Sequence, residues 1–321
     1  MDRETNSSQP FTQQIEHWII RVDQLFTRLI TPHQHDPDLL LDEIQQLLDT
    51  LMDLGRTHPA PLLGMIRLRT DLKYSVTRSM QNALFALWLA DHLEWEPTRV
   101  RILCAAALTE QIGLYPLRPL LPPATSPTEQ QARRAHYAEK SLQALATIGV
   151  KEQQWLSIIE QHATAKESST TLLSDENALL LLIDRYGAMI TAREGRQPLP
   201  TEHCFNALHS EREFSHLSAL QRLLGDYPPG TAVKLQDGSQ AIITQRDQDS
   251  ATLEIATIIT PEGRQYRSPQ HQWLSAEQKT ISHSLPFDWS CHLNPQLLWP
   301  DPASPAATGS RLFQFIPSLA V

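Results

Sequence analysis

The chain is poor in cysteine and glycine, and no hydrophobic run is long. Three cysteines among 321 residues, Cys104, Cys204 and Cys291, are far apart, odd in number and without CxxC spacing. That argues against a disulfide framework or a zinc finger and suits a reducing compartment. With 11 glycines, no G-x-S-x-G elbow and no phosphate-cradling Gly-rich loop is present, so nucleophilic acyl transfer and P-loop chemistry have no foothold. The longest unbroken apolar stretch, Ala83 to Ala90, is far short of the ~20 residues that span a bilayer. Basic residues are outnumbered, 27 Lys and Arg against 36 Asp and Glu for a net charge of −9, which disfavours nucleic-acid and anionic-membrane partners. The polar, acid-containing start MDRETNSSQP is no signal peptide. These features predict a cytoplasmic protein with neither nucleic acid nor membrane as partner.

Helical periodicity dominates what is there. Hydrophobic content of 41% and charged content of 20% suit a folded globular chain. After a polar segment 1–9, Ile15, Ile19, Val22, Leu25, Phe26 and Leu29 form one apolar stripe. A second helix, predicted from about Pro37 to Leu54, carries Leu40, Ile44, Leu47, Leu48 and Leu51. Together they read as a helical hairpin over 1–55, with His33 and His35 as loop residues in the break between its helices. The most informative stretch is 74–114, where Met80, Leu84, Leu87 and Trp88 precede a break at Glu96-Pro97. Beyond it come Val100, Leu103, Cys104, Ala107 and Leu108. Pro97 suits the first turn of a second helix, which is expected to end near Gly113.

Further helices are expected near 128–146, 152–165, 178–191, 203–209 and 212–225. Trp155, Ile158, Ile159 and His162 share one face at i, i+3, i+4, i+7. From Tyr227 the period changes. Asp237-Gly238 and Glu262-Gly263 turns separate β-branched runs, predicting an antiparallel element of three or four strands over 227–283. Residues 284–321 read as an irregular Pro-rich tail, with Trp289, Trp299 and Phe313 available for docking.

Several of these segments, in order, resemble HD-GYP domains, the bacterial metal-dependent phosphodiesterases of cyclic di-GMP. The resemblance runs over roughly 56–270 and is most literal at YPPGTAVKLQDGSQAIIT. It implies a mainly α fold: an HD-type helical bundle over 56–226, with the N-terminal hairpin before it and the small β element after it. In that family two or three iron or manganese ions are held by histidines and carboxylates, and a bound hydroxide attacks the phosphodiester.

Carried over by position, the ligand set is mixed. Arg78-Ser79 stands where His-Ser belongs, Glu110 and Gln111 stand where His-Asp belongs, and Leu114 replaces the Lys after Ile-Gly. His136 matches the histidine of a His-Pro-x-x-Gly segment, His162 the first of a His-His pair whose second place is Ala163, and Asp184 a late aspartate ligand. The Gly-Tyr-Pro segment is absent between His162 and Asp184. A guanidinium has no lone pair to give a metal, and Arg78 is expected instead to neutralise Asp184, and Glu110 beside it.

The resemblance therefore implies a catalytically inactive regulatory or interaction module in cyclic di-GMP-type signalling. Such a module would need no cofactor, and its partners would be a signalling protein and the nucleotide itself, with Arg185 and Arg193 as phosphate contacts. The alternatives are a residual mononuclear phosphohydrolase using Mn or Fe on Glu110, His136, His162 and Asp184, and a ligand-free helical scaffold, homodimeric through the hairpin.

Overall fold

The computed structural model describes residues 9–115, 126–164, 173–193, 196–211, 213–247, 252–275, 280–286 and 293–301. The expectations for 1–8, Trp289, Cys291 and Phe313 lie outside them. The chain opens on α1 (Phe11–Leu29) and α2 (Pro37–Thr57). Asp36 caps α2 by accepting from the backbone N–H groups of Asp38 and Leu39, ahead of Pro37 in the first turn. Residue 55 lies within α2, and the apolar stripe of the hairpin belongs to the same core as the later helices. Trp88 Nε1 donates to Gly55 O at 2.8 Å, and Arg56 grips Asp91 through two 2.9 Å bonds.

After α3 (Pro59–Leu68), the central helix is α4 (Tyr74–His92). It is buried continuously from Ser75 to Leu87, polar residues included, so it is enclosed on all sides. Then α5 (Pro97–Thr109) stops four residues before Gly113, where its end was expected, and a 3-10 turn spans Ile112–Leu114. Tertiary bonds cause the early stop. Ser141, on α6 (Pro127–Thr147), donates its hydroxyl to Glu110 O at 2.8 Å and accepts from Gly113 N at 2.9 Å. The helices α7 (Gln153–Thr164), α8 (Asp175–Ile190), α9 (Thr201–Glu211) and α10 (Leu217–Leu224) complete the bundle.

The β element has five strands rather than three or four: β1 (Ala232–Leu235), β2 (Gln240–Arg246), β3 (Leu253–Ile259), β4 (Gln265–Leu274) and β5 (Ile281–Ser284), all antiparallel in the order β4-β3-β2-β1-β5. The strands missed by periodicity are the two edges. β4 is mostly exposed and contains Pro269, which an edge strand tolerates because its outer N–H groups have no ladder partner. In the segment read as an irregular tail, the described residues include a strand end and a short helix, and Trp299 is docked. Ser284 ends β5, and α11 (Pro295–Leu298) leads to Trp299, 6% exposed and part of the main core.

No helix among the described residues is long and apolar enough to cross a membrane. Cys104 and Cys204 are free and buried, and burial pushes both thiols up to about 12, which leaves them unreactive near neutral pH.

Candidate metal centre

Helices α4, α5, α7 and α8 deliver their polar residues to one point inside the bundle. Trp155 Nε1 donates to Thr109 Oγ1 at 2.9 Å, pinning α7 to the end of α5 so that His162, two turns on, faces Glu110. Glu110 Oε2 stands 3.2 Å from His162 Nε2, and Asp184 Oδ2 stands 3.8 Å from the same nitrogen. The donor atoms of Glu110, His162 and Asp184 all lie within 4.8 Å of one another, and the trio can hold a metal ion. Metal–ligand bonds of ~2.0–2.2 Å at tetrahedral or octahedral angles put neighbouring donors roughly 3–3.5 Å apart. Those spacings accommodate one ion. Three protein donors with an open position match a mononuclear site, whereas a cluster of two or three ions needs several donors for each.

Arg78 occupies the other side of Asp184. It is 1% exposed, and its Nη2 donates both to Asp184 Oδ1 and to the Asp184 backbone carbonyl. Asp184 Oδ1 also accepts from Asn82 Nδ2 at 3.1 Å and Gln111 Nε2 at 3.2 Å. Burial alone would raise the Asp184 pKa. The Arg78 charge opposes it, with bonds from His162 and Asn82 adding to that, and together they hold the carboxyl well below the usual carboxylate range. Glu110 fares differently: Asn82 Nδ2 donates to its Oε1 at 2.8 Å, yet burial, with Asp184 nearby and His162 opposing, pushes it up to about 7. So the guanidinium neutralises one acid, and the other retains a proton close to neutral pH.

Gly187 makes room for this pairing. It sits three residues after Asp184 on the same face of α8, and a Cβ there would come 1.9 Å from Arg78 Nη1.

Of the residues singled out by sequence, Arg78, Glu110, Gln111, His162 and Asp184 converge. His136 does not: it is exposed on α6 and outside the donor group, so the anticipated four-donor set is reduced to three. Arg185 is engaged with Glu211 at 2.7 Å. Arg78 reaches Asp184 but not Glu110, which Asn82 takes instead. Asn82 and Gly187 were not anticipated, although Asn82 lies one turn beyond Arg78 and Gly187 nearly one turn beyond Asp184, the positions that share a helix face.

No family model and no curated protein matches the chain. Among solved structures it is similar to Bd1817, a HDG"Y"P protein from Bdellovibrio bacteriovorus, with a TM-score of 0.52 and 13% identity over 68% of this chain and 74% of that one. The fold is HD-domain-like. In that fold the Glu110–His162–Asp184 group is formed at the end of α5 and on α7 and α8, with Glu110 buried and the other two partly exposed.

Proposed function

We propose that this chain is an HD-GYP-like module that does not hydrolyse cyclic dinucleotides and acts as a regulatory or interaction component in bacterial signalling of the cyclic di-GMP type. The observation that carries this reading is the buried Arg78–Asp184 pair. A fixed positive charge already satisfies the aspartate that a metal cluster would need. Arg78 thus stands in for the metal charge, tying α4 to α8 without any exchangeable ion. Removing a cluster's positive charge also removes what would polarise a phosphodiester and acidify an attacking water. What remains is a packed bundle that keeps its shape and offers it to a partner.

The test has three arms on one preparation. Protein purified with added manganese or iron is subjected to elemental analysis, assayed for cyclic di-GMP hydrolysis, and titrated with cyclic di-GMP in a calorimeter. The expected result is no stoichiometric metal and no turnover. Heat on titration distinguishes a nucleotide-responsive module from a ligand-free scaffold, and two metals per chain with turnover would refute the proposal.

One observation favours a second reading, a residual mononuclear phosphohydrolase: the 3.2 and 3.8 Å donor spacings around His162 Nε2. Glu110, His162 and Asp184 would hold the ion, which when bound would supply Lewis acidity and a more acidic water. Asn82 and Gln111 would orient the two carboxylates, while Arg78 would weaken Asp184 as a donor. One tightly bound metal per chain, lost in His162→Ala, would favour this reading over the first.

A further inference from the structure

Arg67 on α3 has no acid for a partner, although Arg69, two positions on, grips both Glu16 and Asp71. It turns instead toward the loop that leads into β1. There its Nη1 reaches Pro228 O at 3.2 Å, Pro229 O at 3.3 Å and Thr231 Oγ1 at 2.8 Å. The loop is itself fixed. Gly230 donates its N–H to Ile243 O on β2 at 2.8 Å. It takes φ +81° with so little room that a Cβ would come 2.8 Å from Gly64 Cα and 3.2 Å from Arg67 Cβ. The guanidinium is therefore held by one nitrogen in a set orientation, between α3 and the sheet.

The other two nitrogens have no such anchor. Nε and Nη2 donate to no group among the described residues, and no carboxylate there pairs with them. Arg67 is only part-buried, so that side of the guanidinium is not sealed off. The N–H groups of Nε and Nη2 point the same way from one edge of a planar cation, which suits a carboxylate or phosphate taken bidentately. The groups that act on Arg67 are Tyr186 and Cys204, neither of them charged near neutral pH.

Tyr186 supplies the second observation. It is 0% exposed, its ring stacks on Phe205 of α9 at 5.1 Å and meets Phe85 of α4 edge-on, and its hydroxyl has no hydrogen-bond partner. Native proteins seldom leave a buried hydroxyl in that condition. We propose that Arg67 and Tyr186 form a binding site for a small oxyanion, a carboxylate or phosphate group, where the bundle meets the sheet. The guanidinium edge gives two donors and the hydroxyl a third. The anion supplies the counter-ion that Arg67 lacks and ties α3 and α8 to the turn before β1. Nearby acids are otherwise engaged: Glu202 accepts from Ser284 N at 3.0 Å, and Asp226 has Arg246 to offset it. The site goes beyond the reading above, since Tyr186 stands two residues after Asp184 and so on a different face of α8.

The experiment is thermal unfolding of the full chain in sodium phosphate, sodium acetate and sodium chloride at equal ionic strength. At about ten times its dissociation constant, a bound anion should raise Tm by roughly 3 °C over chloride. Tyr186→Phe leaves the Nη1 anchor in place and removes a hydroxyl without a partner, so its Tm in chloride is expected to match wild type. Its affinity for the anion should fall about tenfold, and the added rise with it. General salting effects act on both proteins alike and cancel in the difference. Arg67→Lys keeps the charge but not the planar edge and is expected to lose the response too; should it not fold, Tyr186→Phe decides. A larger effect of phosphate than of acetate marks a phosphoryl ligand, and the reverse a carboxylate. No rise in either anion, an equal rise in wild type and Tyr186→Phe, or a Tyr186→Phe protein already destabilised in chloride would overturn the site.

Discussion

Replacing Arg78 by alanine tests the central physical claim directly. The substitution deletes a guanidinium that is 1% exposed and leaves Asp184 facing Glu110 and His162 without its cation. Removing one member of a buried, hydrogen-bonded ion pair typically costs about 3–5 kcal/mol. Asp184 retains 28% side-chain exposure, so water reaches one oxygen and the lower end of that range, about 3 kcal/mol, is the better estimate. For a chain of this size each kcal/mol lowers Tm by roughly 2–4 °C, so a fall of about 6 °C or more is expected. Arg78→Met keeps much of the packing volume but not the charge, and should be nearly as damaging if electrostatics rather than volume carries the effect. The assay is thermal and urea unfolding monitored by circular dichroism. Adding manganese to Arg78→Ala should recover part of the loss, because a cation then occupies the vacated side of Asp184. A Tm within about 1 °C of wild type in Arg78→Ala, well inside the shift that even 1 kcal/mol produces, would refute the idea that Arg78 replaces a metal charge.

Other outcomes follow from the same geometry. Gly187→Ala puts a methyl 1.9 Å from Arg78 Nη1, so it should expel the guanidinium and lower Tm about as far as Arg78→Ala, and the double variant should be far from additive. Glu110, held up to about 7 from an ordinary 4.5, binds its proton more tightly folded than unfolded, so stability should fall as pH rises from 4.5 to about 7. Urea titrations of Glu110→Gln across that window should show a flatter profile, with wild type losing up to ~3 kcal/mol that the variant does not. The double substitution Arg78→His with Gln111→Asp adds two metal donors to the trio of Glu110, His162 and Asp184. Elemental analysis should then find bound manganese or iron above wild type, and an unchanged metal content would count against the site's having been disarmed by these two residues.

The helices were largely legible because burial imposes a period. The stripe Ile15, Ile19, Val22, Leu25, Phe26, Leu29 is buried as its spacing requires, and so are Trp155, Ile158 and Ile159 on the face that ends in the partly exposed His162. Edges escaped notice for the complementary reason: β4 is mostly exposed and β5 is four residues long, so neither carries a buried repeat to detect. The end of α5 was misplaced because the bonds that stop it come from Ser141 on another helix, about thirty residues away in the chain.

The sequence by itself determined that the chain is helical with a small sheet, that its three cysteines lack paired spacing, and that position 78 holds a side chain with no lone pair to give a metal. These are properties of periodicity, composition and residue chemistry, each readable locally. Only the tertiary structure decided which of the retained polar residues meet. It brought Glu110, His162 and Asp184 within 4.8 Å, left His136 exposed, drew in Asn82 as the bridge between two carboxylates, and cleared a place for Arg78 at Gly187. Convergence of side chains from four helices depends on how those helices pack, and no spacing along one chain encodes a distance across the bundle.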